Sequence, residues 1–467
     1  MNFTNILDQY SFLTTVKKLA SEKNEKAFIV GGFVRDQLLH RVSNEIDFLI
    51  IGDGVQFATA LGNNFGLKNV ITYKNYGTAQ FKYENFQLEF VGARKESYTE
   101  NSRNPTIESA SFEEDIVRRD FTINALAVSL NADNYGEIID LFSGYDDIKN
   151  KIIRTPIDPM ITFNDDPLRI LRAFRFASQL NFNVDESIIH AANSLRQRLR
   201  IIAKERISAE FFKILGSNKP SIGLQLLFSS GVLEIIFPEI AILEGVEQRK
   251  DYHHKDVFYH TCQVVDNISI ATENVWLRFA ALVHDIAKPA TKKFVEGTGW
   301  TFHGHEELGA RMMKNIFKRM KLPFNKLEYI EKLVRLHLRP IALAKEEVTD
   351  SAIRRLIVSA GDDLNDLITL CRADITSKNP GKVSRYLENY NIVMKRVLEV
   401  EEKDKLRAFQ SPVHGDVIMQ VCGLKPCKKV GEIKSAIENA ILDGEIQNDY
   451  EEAYRYLLTI KNRFLDL

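Results

Sequence analysis

The sequence predicts an α+β chain that is mostly α, with a small α/β head followed by helices to its end. Three observations carry this. β-rich runs stop at about residue 150: AFIVGG (27–32), EIDFLIIG (45–52), the long stretch 69–93 and GEIIDLF (136–142) alternate with helical and polar segments. After Thr155-Pro156, apolar residues recur at three- and four-residue spacing in PLRILRAFRFASQL (167–180), ISAEFFKIL (207–215) and IGLQLLFSSGVLEIIF (222–237). A chain of 467 residues with 45% hydrophobic content also exceeds what one core supports, so several domains are expected. The boundaries are read at 1–150, 151–245, 246–400 and 401–467, the polar stretch LEGVEQRKDYHHKDV (243–257) marking the second.

A formal charge of −1 excludes a chain that is basic throughout, so any nucleic-acid surface must be a local patch. Cys262, Cys371, Cys422 and Cys427 form no CxxC pair and are read as reduced core residues. The N-terminus has neither a basic nor a continuous apolar signal region, and no run reaches membrane-spanning length, so a soluble, cytoplasmic protein is expected.

Within the head, Gly31-Gly32 closes a strand-like run and opens a helix, a turn whose backbone N–H groups suit phosphate. Glu45 and Asp47 lie at i and i+2 of an apolar strand, and the twofold strand period aims both at one face. Paired carboxylates repel, so a divalent cation is their natural third member, as in two-metal phosphoryl transfer. Glu89, on the next strong strand, is a candidate third ligand.

GGFVRDQLLHR…EIDF (31–48), RRDFTINALA (118–127), DLFSGYDDIKNKIIRT (140–155), DDPLRILRAFRFA (165–177) and ERISAEFFKIL (205–215) resemble, in order, the five motifs of the bacterial-type (class II) CCA-adding enzymes and bacterial poly(A) polymerases. The resemblance implies a nucleotidyltransferase head of DNA polymerase β-like fold, with Gly31, Gly32 and Arg35 holding triphosphate and Glu45 and Asp47 binding magnesium. It assigns Arg119, Asp120 and Asn124 to the nucleotide pocket and Asp166 and Arg169 to nucleotide selection, and Arg172 is counted among the nucleotide-binding residues. Asp166 and Arg169 are three apart, read as sharing a helix face whose oxygens and guanidinium can pair with a base edge. Arg206 and Glu210 are read as braces between neck helices. Glu45 stands where the family usually has Asp, Asp165 where it has Glu, and His40 where it has Gly. The longer Glu45 side chain shifts its carboxylate by more than about 1 Å.

Most of the ten histidines fall between Asp251 and His337. His260, His284-Asp285, His305, His337 and Asp374 resemble the H…HD…H…H…D set of HD phosphohydrolases, which implies one or two transition metals (nickel, manganese, cobalt, iron or zinc) in an all-helical HD domain. Lys288 and Arg278 are candidate phosphate holders, while His253, His254 and His303 are placed at the mouth and not among the ligands. The tail 423–446 is similar to the end of HD-containing CCA enzymes.

The implied activity is template-independent addition of CCA to tRNA from CTP and ATP, with HD phosphohydrolase activity as a second function. The alternatives are poly(A) addition, which usually comes with a basic C-terminal extension, and CC-only or A-only addition. The length of 94–115 favours complete CCA synthesis. From other classes come a phosphohydrolase whose N-terminal domain binds RNA and a non-enzymatic RNA-binding protein. Arg172, Arg175, Arg196, Arg198 and Arg200 are candidates for the tRNA path.

Overall fold

The computed structural model describes residues 2–67, 69–73, 77–97, 106–246, 256–343, 349–377, 379–404 and 411–464. The chain forms two compact units, Met1–Ala241 and Ile242–Leu467. No helix among the described residues is long and apolar enough to cross a membrane.

The first unit is built on a seven-stranded sheet of β1 (Lys26–Val30), β2 (Glu45–Ile51), β3 (Ile71–Tyr73), β4 (Thr78–Tyr83), β5 (Phe86–Gly92), β8 (Leu126–Ser129) and β9 (Ile138–Asp140), in the order β3-β4-β5-β2-β1-β8-β9. β6 (Arg94–Ser97) and β7 (Thr106–Ser109) form a separate ribbon. Only β2 and β5 pair in parallel within the sheet's described ladders. Strand alternation in β2 sends Ile46, Phe48 and Ile50 into the core, where Phe48 stacks on Phe90 at 4.6 Å, and leaves Glu45 and Asp47 on the opposite face. Gly54, which opens the helix Gly54–Asn64, lies so close to β5 that an added Cβ would meet the Gly92 nitrogen at 2.5 Å. That approach locks the helix over the sheet.

The helices Pro159–Asp165, Leu168–Leu180 and Lys204–Leu215 follow. Leu168–Leu180 buries Ile170, Leu171, Phe174 and Ala177. Buried Glu210 ion-pairs with Arg175 at 3.0 Å and with Lys213 at 3.1 Å, so it braces two neck helices, but its long-range partner is Arg175 and not the exposed Arg206.

Among its described residues the second unit's only strands are one hairpin, Lys293–Val295 with Gly299–Thr301, and the rest is helices and their connections. Its helices Val257–Ala271, Val275–Val283, His305–Met320, Leu327–Leu336 and Leu364–Ala373 surround the histidine cluster. A separate apolar cluster of Val413, Ile418, Ile433, Ile437, Leu457 and Ile460, among others, holds the tail together. Cys262 and Cys371 are core residues as expected, but Cys422 is half-buried and Cys427 exposed. A small sulfur side chain near a helix terminus need not be inside.

Candidate functional site

In the first unit, the candidate catalytic face forms where β1 ends. Parallel pairing sets Asp47 directly beside Glu89, and antiparallel pairing sets Val30 on its other side. Gly31 then turns the chain into the helix Gly32–Leu38 with φ +77°, and a Cβ there would sit 3.5 Å from both Asp47 Oδ2 and Arg119 Nη1. Glycine therefore supplies the left-handed turn and keeps the carboxylate uncovered. Burial, then the Glu89 charge beside it, push the Asp47 carboxyl up to about 6, against the opposing pull of Arg119. Burial also raises Glu89, with Glu45 adding to it and Arg94 opposing it. Negative charge in excess of its counter-charge is the electrostatic demand that a divalent cation meets, and an all-oxygen donor set suits a hard one. These three carboxylates are nonetheless more open than the histidine cluster. Among the described residues, three or more ligand atoms come within 4.8 Å of one another only in the second unit.

Behind this face lies a buried polar relay. Asn124 donates to Asp120 Oδ1 at 3.0 Å and accepts from Arg35 Nη1 at 2.7 Å, while Arg172 Nε donates to Asp120 Oδ2 at 2.7 Å. Burial opposes the Asp120 charge, but Arg172 and the Asn124 hydrogen bond outweigh it and bring its pKa to about 2. Arg35 also grips Asp36 through Nε and Nη2 at 3.0 and 2.9 Å. Three of its five N–H donors are thus committed, which makes Arg35 as much a brace for Asn124 as a phosphate hand. Arg119 is held at 3.0 Å by Asp115, a fully buried acid that also binds Arg118, yet its Nε is buried without a partner. That orphan donor lies in the arginine that reaches Gly31 and Asp47.

Asp166 does not share a helix face with Arg169. Pro167 disfavours helical backbone in the residue before it, so Asp166 is extended (φ −134°, ψ 99°) and its Oδ1 accepts from the Leu168 N–H at 3.1 Å, capping the helix that starts there. Arg169 occupies that helix's first turn, half-buried. The two still stand together at one helix start. Of the arginines placed on an RNA path, Arg175 is buried against Glu210 and Arg172 is bound to Asp120, so neither forms an open basic track. Arg200 is exposed, and Arg196 and Arg198 bond the carbonyls of Asn193 and Asn164. Part of 94–115 lies outside the described residues.

The second unit assembles all six predicted ligands. His284, His305 and His337 each place Nδ1 at 2.6–2.7 Å from the carbonyl three residues earlier (Ala281, Phe302 and Val334), and His260 Nδ1 meets Thr376 Oγ1 at 2.9 Å. Nδ1–H is thereby taken by the carbonyls, and the Nε2 atoms converge. Asp285 divides them: Oδ2 faces His284 and His260 at 3.2 and 3.7 Å, whereas Oδ1 faces His305 and His337 at 3.2 and 3.8 Å. Asp374 Oδ1 joins the first group, 2.9 Å from His260 and 3.5 Å from His284. Two trios result, His260–His284–Asp285 and Asp285–His305–His337, sharing one carboxylate.

Burial opposes charge on His284, but Asp285 and Asp374 outweigh it and lift its pKa to about 10. Burial and the neighbouring His284 lower His337 to about 4. His284 Nε2 is buried against the Asp285 and Asp374 carboxylates, 3.2 and 3.5 Å away. Buried imidazoles and a shared carboxylate, gathered in two trios, fit a transition metal. Lys288 Nζ lies 2.6 Å from Asp285 Oδ2, at the cluster as expected. Arg278 is elsewhere: it is buried and donates to the carbonyls of Thr272 and Ser269, closing a helix end, and so is no phosphate holder. His303 is exposed, and His253 and His254 lie outside the described residues.

Comparison with known proteins finds matches to the domains that carry the two clusters. Residues 27–154 match the poly A polymerase head domain, 181–243 the probable RNA and SrmB-binding site of polymerase A, and 257–377 the HD domain. A multifunctional CCA protein of Psychromonas ingrahamii is 31% identical over 434 residues, covering 88% of this chain and 96% of that protein. An A-adding tRNA nucleotidyltransferase of Aquifex aeolicus is 36% identical over 276 residues, 58% of this chain but only 32% of that protein. A solved tRNA nucleotidyltransferase, complexed with a primer tRNA and an incoming ATP analog, aligns at TM-score 0.58 and 27% identity over 81% of this chain and 99% of its own. With its head motifs, its carboxylate face and its HD cluster in one chain, the protein belongs to the bacterial-type CCA-adding tRNA nucleotidyltransferase and poly(A) polymerase family of enzymes.

Proposed function

We propose that the first unit adds CCA to the 3′ end of tRNA from CTP and ATP, using Glu45, Asp47 and Glu89 to hold magnesium. The observation that carries this is the side-by-side pair Asp47 and Glu89 next to the Gly31 turn and Arg119. When bound, the metal activates the 3′-hydroxyl and steadies the triphosphate and departing pyrophosphate. The chain's own residues do the rest. Backbone N–H groups after Gly31 and the Arg119 guanidinium receive phosphate oxygens, the Asp120–Asn124 pair meets the sugar, and Asp166 with Arg169 reads the base edge in place of a template. The test is incubation with tRNA lacking its 3′ end and labelled CTP or ATP, followed by sequencing of the products. Incorporation of neither nucleotide refutes the reading.

The Aquifex relative favours a second reading, addition of the terminal A alone. tRNA ending in CC and tRNA lacking all three residues separate the two, because an A-only enzyme extends just the first. For the second unit we propose a transition-metal phosphohydrolase centre with two sub-sites bridged by Asp285: His260, His284 and Asp374 in one, His305 and His337 in the other. A metal held there would supply Lewis-acid and water-activating chemistry toward a phosphoester, and Lys288 would hold the phosphate. Metal analysis tests this: two bound equivalents would support the bridged arrangement.

A further inference from the structure

We propose that Phe176 is a positioning residue of the nucleotide site, keeping the phosphate-binding turn in register with the helix that reads the base. This rests on the nucleotide-addition reading above. The Phe176 ring is 7% exposed and lies in the helix Leu168–Leu180. Three guanidiniums gather on it: the ζ carbons of Arg175, Arg35 and Arg172 stand 4.3, 5.0 and 5.6 Å from its centroid. Phe121, next to Asp120 in the chain, meets the same ring edge to face at 5.7 Å.

Each guanidinium belongs to a different connection. Arg35 comes from the helix after Gly31 and holds Asn124. Arg172 holds Asp120, and Arg175 holds Glu210 of the helix Lys204–Leu215. Three like charges this close repel one another, and their acidic and amide partners lie to the sides. The negative faces of an aromatic ring attract guanidinium groups within about 6 Å, a distance that all three meet. An aliphatic residue of similar size fills the volume but supplies no such attraction. Arg172 and Arg175 share the helix with Phe176 and stay near it regardless, so the contact that matters is with Arg35. It ties the Gly31 turn to the helix whose first turn carries Arg169 and whose cap is Asp166. Phe176 touches no reacting atom, and its effect passes through Arg35 and the Asp120–Asn124 pair.

The experiment compares wild type with Phe176→Leu and Phe176→Tyr in the full chain, measuring KM for ATP, CTP and tRNA, misincorporation of UTP, and melting temperature. Phe176→Leu is expected to raise both nucleotide KM values about tenfold or more and to increase UTP misincorporation. Its KM for tRNA stays within about twofold and its melting temperature falls by only a few degrees, about what the lost ring contacts cost, and Phe176→Tyr, which keeps the ring face, restores the nucleotide KM. Wild-type nucleotide KM in Phe176→Leu overturns the proposal, as does equal impairment of both variants or a loss that tracks the melting temperature with every KM unchanged. Should wild type add no nucleotide to any tRNA, the functional reading fails on its own. Calorimetric titration of the three proteins with a non-hydrolysable ATP analogue and magnesium then decides on Phe176, with about tenfold weaker binding in the Leu variant expected and equal binding fatal.

Discussion

Replacing Asp47 by Asn removes the most strained charge of the proposed catalytic face, and the expected result is a more stable and inactive protein. The Asp47 carboxyl sits at about 6 against an ordinary 3.8, because burial and Glu89 outweigh the help of Arg119. At about 1.4 kcal/mol for each tenfold change in proton affinity, keeping it ionised costs the folded state on the order of 3 kcal/mol. The sign follows from the folded chain holding the proton more tightly than the unfolded one. Below pH 3.8 both states are protonated and nothing is lost; the cost grows as pH rises and is complete above about 6. Metal-free Asp47→Asn should therefore melt on the order of 5 °C or more above wild type at pH 7.5, with the advantage fading toward pH 4. Millimolar magnesium should raise the wild-type melting temperature, since the ion supplies the missing counter-charge, and leave the variant unmoved. Scanning fluorimetry across pH, with and without magnesium, measures all of this. Equal melting of the two proteins at pH 7.5 without metal refutes the reasoning, and so does an advantage undiminished at pH 4.

Three further outcomes are expected. Glu45→Asp should retain or raise nucleotide addition, whereas Glu45→Ala should depress it at least about tenfold; an unaffected rate in the Ala variant removes Glu45 from the metal ligands. Arg169→Ala should relax discrimination against UTP and GTP by on the order of 1–3 kcal/mol at unchanged stability. Asp166→Ala should do the same and also lose about 1 kcal/mol of stability with the Leu168 cap, read by misincorporation and denaturant titration together. Asp285→Ala should abolish transition-metal binding and phosphoester hydrolysis while nucleotide addition persists, because the two sets of ligands lie in different compact units. Metal binding to the second unit should weaken as pH falls, since the ion must displace the proton that His284 holds with a pKa of about 10.

Local patterns were legible wherever one element carries the whole message. The twofold period of β2 placed Glu45 and Asp47 on one face, and the order of histidines and acids in 260–374 named a set whose side chains do converge. The helix-face reading of Asp166 and Arg169 failed because three-residue spacing implies a shared face only inside a helix, and Pro167 marks the helix start one residue too late for that. The proline was visible and its consequence calculable. Other features had no local signal. Arg172 on Asp120, Arg175 on Glu210 and Arg35 on Asn124 are separated by 52, 35 and 89 positions, and nothing in their neighbours distinguishes a buried guanidinium from one lining an RNA track. Arg278 shows the same limit: an arginine near a metal motif resembles a phosphate holder until the helix-end carbonyls it closes are seen.

The carbonyls of Ala281, Phe302 and Val334 give the second unit a property that its ligand types alone do not. Each anchors a histidine ring through backbone that the surrounding helices already hold, so the rings are oriented before any ion arrives. Loading such a centre freezes little side-chain motion, and the spacing of the nitrogens answers to helix geometry more than to the ion. Metals are then admitted by radius and coordination preference, and an ion that needs the cage to contract or flatten is turned away even when its intrinsic affinity for imidazole is higher.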